Sequence, residues 1–181
     1  MIGQHRGSPR ALLTLVAALA SMTAAAHSAS DAYLTLIEQP ATKAAGAAPT
    51  VIHAQWDIAL RDLDFVLKLD DNGDGNIVWG ELRKHQQAIA EYAYTYLHIS
   101  GDGKSCRVAP TRQMVDDHAD GSYASLMFDI TCAGAPKRLT LDYRLFFALD
   151  PSHRAIVVFR SGEDIATSVL SADKAKIDLE L

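Results

Sequence analysis

A run of twelve residues, 70–81, has the composition and spacing needed to bind a divalent cation. It reads DDNGDGNIVWGE and fits the calcium-loop pattern D-x-[DN]-x-[DN]-G-x5-E at every constrained position. Calcium prefers oxygen ligands, and the pattern takes them from the first, third, fifth, seventh and twelfth positions. The predicted metal ligands are Asp70, Asn72, Asp74 and Glu81 through their side chains and Asn76 through its backbone carbonyl. We therefore predict Ca²⁺ as the cofactor.

Two other positions of the loop refine this prediction. Gly75 is sixth, where the chain must turn sharply and a Cβ would obstruct it. Val78 is ninth and cannot ligate through its side chain, so we expect water there. Extracellular sites typically bind Ca²⁺ at about 10⁻⁴ to 10⁻³ M, which favours a structural ion over a signalling one. The alternative is a calcium-like turn held by hydrogen bonds between side chains and backbone.

Apolar residues at helical spacing flank the loop on both sides. Leu63, Val66 and Leu67 precede it, and Asp62 could cap their helix. A second helix is predicted from Gly80 to about residue 97. The segment is therefore an EF-hand-like helix-loop-helix unit.

The rest of the sequence is mainly strand. Residues 32–37 are rich in β-branched and aromatic side chains, and residues 52–60 alternate between apolar and polar. Similar alternation covers residues 123–132 and 139–147, and residues 155–160 are again β-branched. The predicted class is α+β, with the helix-loop-helix unit packed on an antiparallel, sandwich-like sheet.

The first residues have the pattern of a secretory signal peptide. Arg6 and Arg10 precede an apolar run, 11–20, which is followed by small residues. The run is shorter than the roughly 20 residues of a membrane span. We predict cleavage after Ala26, with Ser28 and Ser30 as alternatives. The mature protein is then extracytoplasmic, either periplasmic or secreted.

Charge and cysteine content limit the possible functions. The formal net charge of −5 argues against nucleic acid as a partner, because phosphate binding needs a basic surface. In an oxidising compartment the two cysteines, Cys106 and Cys132, should form a disulfide. The predicted organisation is signal peptide 1–26, strand and linker 27–50, strand plus helix-loop-helix 51–99, and disulfide-linked β-rich region 100–181.

Several segments together resemble the extracytoplasmic amino-terminal part of HupE/UreJ-type membrane proteins. They are AYLTL (32–36), QWDIALRDLD (55–64), LDDNGDGNIVWGEL (69–82) and LDYRLFFALDPSHRAIV (141–157). In that family this region precedes a membrane domain linked to transport of nickel or related metals. No long apolar segment follows residue 158 here, so the resemblance implies a calcium loop on an exported module and not transport itself.

The sequence does not predict an enzyme. Its histidines are scattered, with no H-E-x-x-H, and no G-x-S-x-G occurs. The histidines after the leader, apart from His27, are His53, His85, His98, His118 and His153. We expect a secreted calcium-binding module that interacts with a membrane or envelope partner, and no small-molecule substrate is evident.

Two questions stay open. The tyrosines Tyr92, Tyr94 and Tyr96 could contact a partner, although packing of the helix is the other explanation. Cleavage after Ala26 would also leave His27 at the amino terminus, where an amine and an imidazole can chelate Ni²⁺ or Cu²⁺. The alternative function is therefore extracytoplasmic handling of a transition metal.

Overall fold

The computed structural model describes residues 30–39 and 49–181, which form two helices and two sheets. The predicted α+β class is confirmed. The helices are α1 (Leu60–Leu67) and α2 (Trp79–Thr95). The strands are β1 (Asp31–Glu38), β2 (Thr50–Ala59), β3 (Leu97–Gly101), β4 (Lys104–Ser105), β5 (Arg107–His118), β6 (Gly121–Cys132), β7 (Arg138–Tyr143), β8 (Arg154–Ser161), β9 (Asp164–Leu170) and β10 (Lys176–Glu180). The predicted signal peptide, its cleavage site and His27 lie outside the described residues.

The larger sheet has six strands in the order β5-β6-β2-β1-β8-β9. It is mixed and not wholly antiparallel as predicted, because β1 and β8 run parallel, with Tyr33 opposite Ile156. Neighbouring strands joined by tight turns are necessarily antiparallel, but β1 and β8 are separated along the chain by both helices and by six strands, β2 to β7. The smaller sheet, β10-β7-β3-β4, is antiparallel throughout.

One hydrophobic cluster joins both sheets and both helices. Alternate residues of β1 and β2 point into it, including Leu34 and Trp56, which are fully buried. Leu63 of α1 and Ile89 of α2 belong to the same cluster. Ile77 of the 70–81 loop packs against it, so the loop is in contact with the core.

The predicted disulfide is present. Cys106 and Cys132 are bonded, with their Cα atoms 4.4 Å apart. The register of β5 on β6, in which Arg107 is opposite Thr131, places the bond at the open end of this hairpin. It therefore fixes the base of a hairpin whose far end carries polar residues described below.

The helix limits differ slightly from the predicted ones. α1 begins at Leu60, two residues before Asp62, and the N-cap residue Ala59 makes no side-chain capping bond. The prediction that Asp62 caps this helix is wrong, since Asp62 lies within the first turn and accepts a hydrogen bond from Ser30. Neither helix in the described ranges has the length and apolar character needed to cross a membrane.

The three tyrosines of α2 and its C-cap pack within the protein. The ring of Tyr94 contacts Phe128, and the ring of Tyr92 contacts Phe146 and Tyr96. Packing therefore explains them better than contact with a partner. In the part of the chain that the structure describes, the exposed aromatic residues are Phe65, at 69% exposure, and Trp79, at 55%.

Candidate metal sites

The 70–81 loop is anchored at its start by the end of α1. Lys68, the C-cap residue, has φ of 54°, and its N–H bonds to the carbonyl of Asp64 at 2.9 Å. Leu69 is then fully buried. Within the loop Gly73 and Gly75 have φ of 72° and 81°, conformations that favour glycine. The predicted need for glycine at the sixth position therefore matches the backbone.

The carboxylate of Asp70 organises the first half of the loop. Its Oδ1 accepts hydrogen bonds from the N–H groups of Gly73, at 2.8 Å, and Asp74, at 3.3 Å. Its Oδ2 accepts from the N–H of Gly75 at 2.8 Å. The side chain at the first position thus faces the inside of the turn, as a ligand there must.

The third and fifth positions repeat this arrangement. Asn72 Oδ1 accepts from the N–H of Asp74, and Asp74 Oδ1 accepts from the N–H of Asn76, both at 2.8 Å. The amide of Asn72 also donates to Asp74 Oδ2 at 3.0 Å. The N–H of Asn76 and then the amide of Asn72 lower the pKa of Asp74. This carboxyl group is therefore held as an anion.

Glu81 closes the loop from the first turn of α2. It is only 8% exposed, and its Oε1 and Oε2 accept from the N–H groups of Asp71 and Val78, each at 2.9 Å. The bond to Val78 is half of a capping box for α2. One side chain therefore ties the beginning of the loop to the start of the second helix.

Within the described ranges, Asp71 is the one acid of the loop that pairs with basic side chains. Asp71, which is not a ligand in the pattern, pairs with Lys84 at 2.8 Å and with His85 at 3.0 Å. The bond from Lys84 and then that from His85 lower its pKa. Among the described residues, no Lys, Arg or His nitrogen lies within 4.0 Å of a carboxylate oxygen of the acids at the ligand positions. These acids are Asp70, Asp74 and Glu81.

The loop carboxylates do not meet at one point. In the described ranges, Asp70, Asp74 and Glu81 do not form a group with one oxygen from each within 4.8 Å of the others. The structure thus brings Asp70, Asn72 and Asp74 together through shared backbone bonds, while Glu81 bonds to Asp71 and Val78. The order of helix, loop and helix is present, but this geometry by itself does not define an EF-hand.

A different group does gather ligand atoms. Asp57, Asp116 and His118 each offer one donor atom, and these atoms lie within 4.8 Å of one another. Asp57 is on β2, whereas Asp116 and His118 are two residues apart on β5. Residues two apart on one strand point to the same face of the sheet. This spacing was the one feature of the sequence that could have indicated the site. This possible metal site was missed because its third member comes from a distant strand.

The side chains of this group are held by their neighbours. The ring of His118 stacks on Tyr33 with centroids 5.0 Å apart and contacts Tyr123 at 4.1 Å. The amide of Gln55 donates to both oxygens of Asp57, at 3.0 and 3.1 Å. His118 reaches Tyr33 across two intervening strands, so the end of the β5-β6 hairpin lies over the outer face of the sheet.

A surface cleft of about 450 Å³ lies between the 70–81 loop and the β5-β6 turn. One wall is formed by the loop, including Asp70 and Ile77, and the other by the β5-β6 turn, including Asp120 and Tyr123. Arg61 lies between them and approaches Asp120 at 3.6 Å. The loop therefore faces the turn that follows His118.

A third polar group is buried and has the residue types of a hydrolytic triad. Ser30 Oγ donates to Asp62 Oδ2 at 2.8 Å and lies 2.7 Å from His153 Nδ1, while Tyr143 Oη lies 2.8 Å from His153 Nε2. Since the Ser30 proton is given to Asp62, Nδ1 must donate to Ser30 and Nε2 must accept from Tyr143. Burial lowers the pKa of His153 to about 4, which keeps the ring neutral.

This order of bonds differs from that of a nucleophilic triad. In a triad the acid holds the histidine and the histidine accepts the serine proton. Here Asp62 bonds to Ser30, and both nitrogens of the fully buried His153 are already used. We name this set the Ser30–His153 network and interpret it as structural.

No model of a known protein family matches this chain, and no curated protein matches it in sequence.

Proposed function

We propose that this protein is an exported calcium-binding module, similar to the amino-terminal part of HupE/UreJ-type membrane proteins, in which the ion is mainly structural. The proposed ligands are the side chains of Asp70, Asn72, Asp74 and Glu81 and the carbonyl of Asn76. One observation carries the proposal: the acids at the ligand positions have no basic partner among the described residues, whereas neighbouring Asp71 has two.

The electrostatics of the loop favour a cation. Three carboxylates at the ligand positions lie within twelve residues, and the hydrogen bonds that they receive from the described residues come from neutral donors. Glu81 is nearly buried, and a buried charge is costly unless it is paired. Hard oxygen donors without nitrogen or sulfur suit Ca²⁺. Each oxygen that accepts one N–H keeps a lone pair for a metal.

Bound calcium would connect parts of the fold that are separate in sequence. Asp70 follows α1 and Glu81 belongs to α2, so one ion would join the two helices. It would also stiffen the wall of the cleft that faces the β5-β6 turn. The expected effect is stabilisation, with no chemical step assigned to the ion.

The proposed partner is a membrane or envelope protein outside the cytoplasm. The disulfide supports an oxidising compartment, because such bonds are rare in the cytosol. Phe65 on α1 and Trp79, the tenth residue of the loop, are largely exposed, which makes them candidates for contact with this partner. Capture of an envelope protein should then require calcium and be lost with a chelator.

Thermal unfolding with Ca²⁺ tests the calcium site. A ligand that binds only the folded state at ten times its Kd stabilises it by about 1.4 kcal/mol, so the midpoint should rise with millimolar Ca²⁺. Glu81→Gln should remove this response. Asp71→Asn is the matched control, because it makes the same charge change at a non-ligand position and should keep the response.

Two results would contradict the calcium proposal. One is an unchanged midpoint, together with no heat in a calorimetric titration of the folded protein with millimolar Ca²⁺. The other is equal loss of the response in Asp71→Asn and Glu81→Gln, which would indicate a general effect of negative charge.

A second candidate function is extracytoplasmic handling of a transition metal. Its predicted ligand, His27, lies outside the described residues. The observation that favours transition-metal binding is instead the group formed by Asp57, Asp116 and His118.

A further inference from the structure

We infer that Asp57, Asp116 and His118 bind a first-row divalent transition-metal ion, with Zn²⁺ as the representative probe. This site goes beyond the proposed calcium loop and shares no ligand with it. It would be built by β2 and β5 on the outer face of the six-stranded sheet.

The spacing of the donor atoms is close to that required by one ion. His118 Nε2 and Asp57 Oδ2 are 3.7 Å apart, and the donor atoms of all three residues lie within 4.8 Å of one another. Two ligands each about 2.1 Å from a metal are about 3.0 to 3.4 Å apart at octahedral or tetrahedral angles. Small side-chain movements would therefore place all three ligands around one ion.

The burial of Asp57 gives a separate reason to expect a cation. Asp57 is 7% exposed, and its hydrogen-bond donor is the neutral amide of Gln55. In the described part of the chain, the one basic group within 4.0 Å of it is His118, and 3.7 Å is too long for a hydrogen bond. A buried carboxylate without a close cation is costly. A metal ion between the two side chains would remove that cost.

The surroundings of the group resemble the outer shell of a metal site. Metal-binding carboxylates are usually hydrogen-bonded by a neighbouring residue, which is the role of Gln55. The rings of Tyr33 and Tyr123 fix the plane of His118. The fold therefore already restricts these side chains, which reduces the conformational entropy lost when a metal binds.

The donor types select the class of metal. Ca²⁺ and Mg²⁺ prefer oxygen ligands alone, whereas an imidazole with carboxylates suits Zn²⁺ and other first-row ions. Asp116 is exposed, so an ion could reach the site from solvent. Three protein ligands leave room for water or for a ligand atom supplied by a partner.

Calorimetric titration of the untagged mature protein with Zn²⁺ tests this site. Millimolar Ca²⁺ is kept present so that the loop does not compete for zinc. We expect one Zn²⁺ per chain in the wild type and at least tenfold weaker binding in Asp116→Asn and His118→Gln. Gln55→Ala should weaken binding about tenfold, as loss of an outer-shell bond does.

Matched controls separate the site from general charge effects and from the loop. Asp117→Asn alters the neighbouring acid on the other face of β5, and His98→Gln alters an exposed histidine on β3; both should bind zinc like the wild type. Glu81→Gln should lose the calcium response and keep zinc binding. Failure of the calcium proposal would therefore leave this test intact.

Visible spectroscopy with Co²⁺ tests whether the histidine is a ligand. Co²⁺ bound to the wild type should change its visible absorption, and His118→Gln should lose this change while circular dichroism shows an intact fold. Because Asp57 is buried and its replacement could affect folding, Asp116→Asn serves as the surface variant. Absence of zinc binding, or wild-type affinity in either Asp116→Asn or His118→Gln, would overturn the inference.

Discussion

The 70–81 loop and the Ser30–His153 network arrange polar groups in opposite ways. The loop is local and mostly exposed, and its ligand-position acids have no basic partner among the described residues. The network is buried and joins residues up to 123 positions apart. Each hydrogen-bond acceptor in it receives one hydrogen bond. Because its polar groups are hydrogen-bonded to one another, the network does not need a ligand. The unpaired negative charge of the loop acids instead favours binding of a cation.

The second candidate metal site shares one feature with each of these two. Asp57, Asp116 and His118 are assembled across strands like the network, but the charge of Asp57 lacks a close cation like that of the loop acids. Burial and hydrogen bonding therefore do not by themselves distinguish a structural cluster from a binding site. The charge that is left uncompensated is the more informative property.

The largest expected effect is acid destabilisation through the network. The pKa of His153 is about 4 in the folded protein, below its usual 6.5, so the unfolded chain takes up a proton first as pH falls. Unfolding free energy is then lost from about pH 6.5 down to about pH 4. The loss amounts to about 3 kcal/mol for one histidine with this shift. Urea titrations across this range measure it.

Neighbouring acids do not reverse the expected trend. Burial raises the pKa of Asp62, which opposes the loss only near the acid end, whereas the lowered pKa of Asp150 adds a loss below 3.8. His153→Gln should be less stable at neutral pH but should show a flatter profile. His98→Gln, which alters an exposed histidine on β3, is the matched control and should retain the loss assigned to His153. An equally steep profile in His153→Gln would contradict the assignment.

Removing one donor from the network should have the next largest effect. Tyr143→Phe deletes the hydroxyl group that donates to His153 Nε2 and leaves a buried acceptor unpaired. Such a loss costs about 1 to 3 kcal/mol. Denaturant unfolding at neutral pH measures it. Tyr94→Phe, on a half-buried ring of α2, should lower the free energy of unfolding by less. Equal losses in the two variants would contradict a stabilising role of the bond from Tyr143 to His153.

Much of the fold could be predicted because its signals are local. Alternation of apolar residues indicated β2, β6 and β7, and β-branched or aromatic composition indicated β1 and β8. Helical spacing indicated both helices within two residues at most limits. The parallel pairing of β1 with β8 could not be predicted, because no short connection sets their relative direction. The hydrogen bond from Ser30 to Asp62 could not be predicted either, because the two residues are 32 positions apart.

The same limit separates the two candidate metal sites. The loop could be predicted since its proposed ligands lie in twelve consecutive residues and glycine has a specific backbone role there. The second group needs Asp57 on β2 near His118 on β5, and β6 lies between these strands. Their proximity therefore depends on the tertiary structure, and the linear sequence does not show it.

A backbone change should affect the loop without affecting the network. Gly75→Ala places a Cβ at φ of 81°, where it meets no atom within 4 Å, so its cost is conformational. We expect a loss of about 1 kcal/mol with a chelator present and weaker calcium binding. Gly80→Ala in α2, where φ is ordinary and the space is also open, should be neutral or slightly stabilising. Equal destabilisation by the two changes would argue against a special conformation at Gly75.

The smallest expected effect comes from Lys84, one of the two basic partners of Asp71. Lys84→Gln removes an exposed ammonium group that pairs with Asp71, and exposed pairs contribute little to stability. The unfolding midpoint should stay near that of the wild type. Calcium affinity should rise slightly, because a positive charge near the loop is lost, and salt should reduce this gain. If calcium affinity falls instead, Lys84 orients the loop through Asp71, and the distinction between ligand and non-ligand acids would need revision.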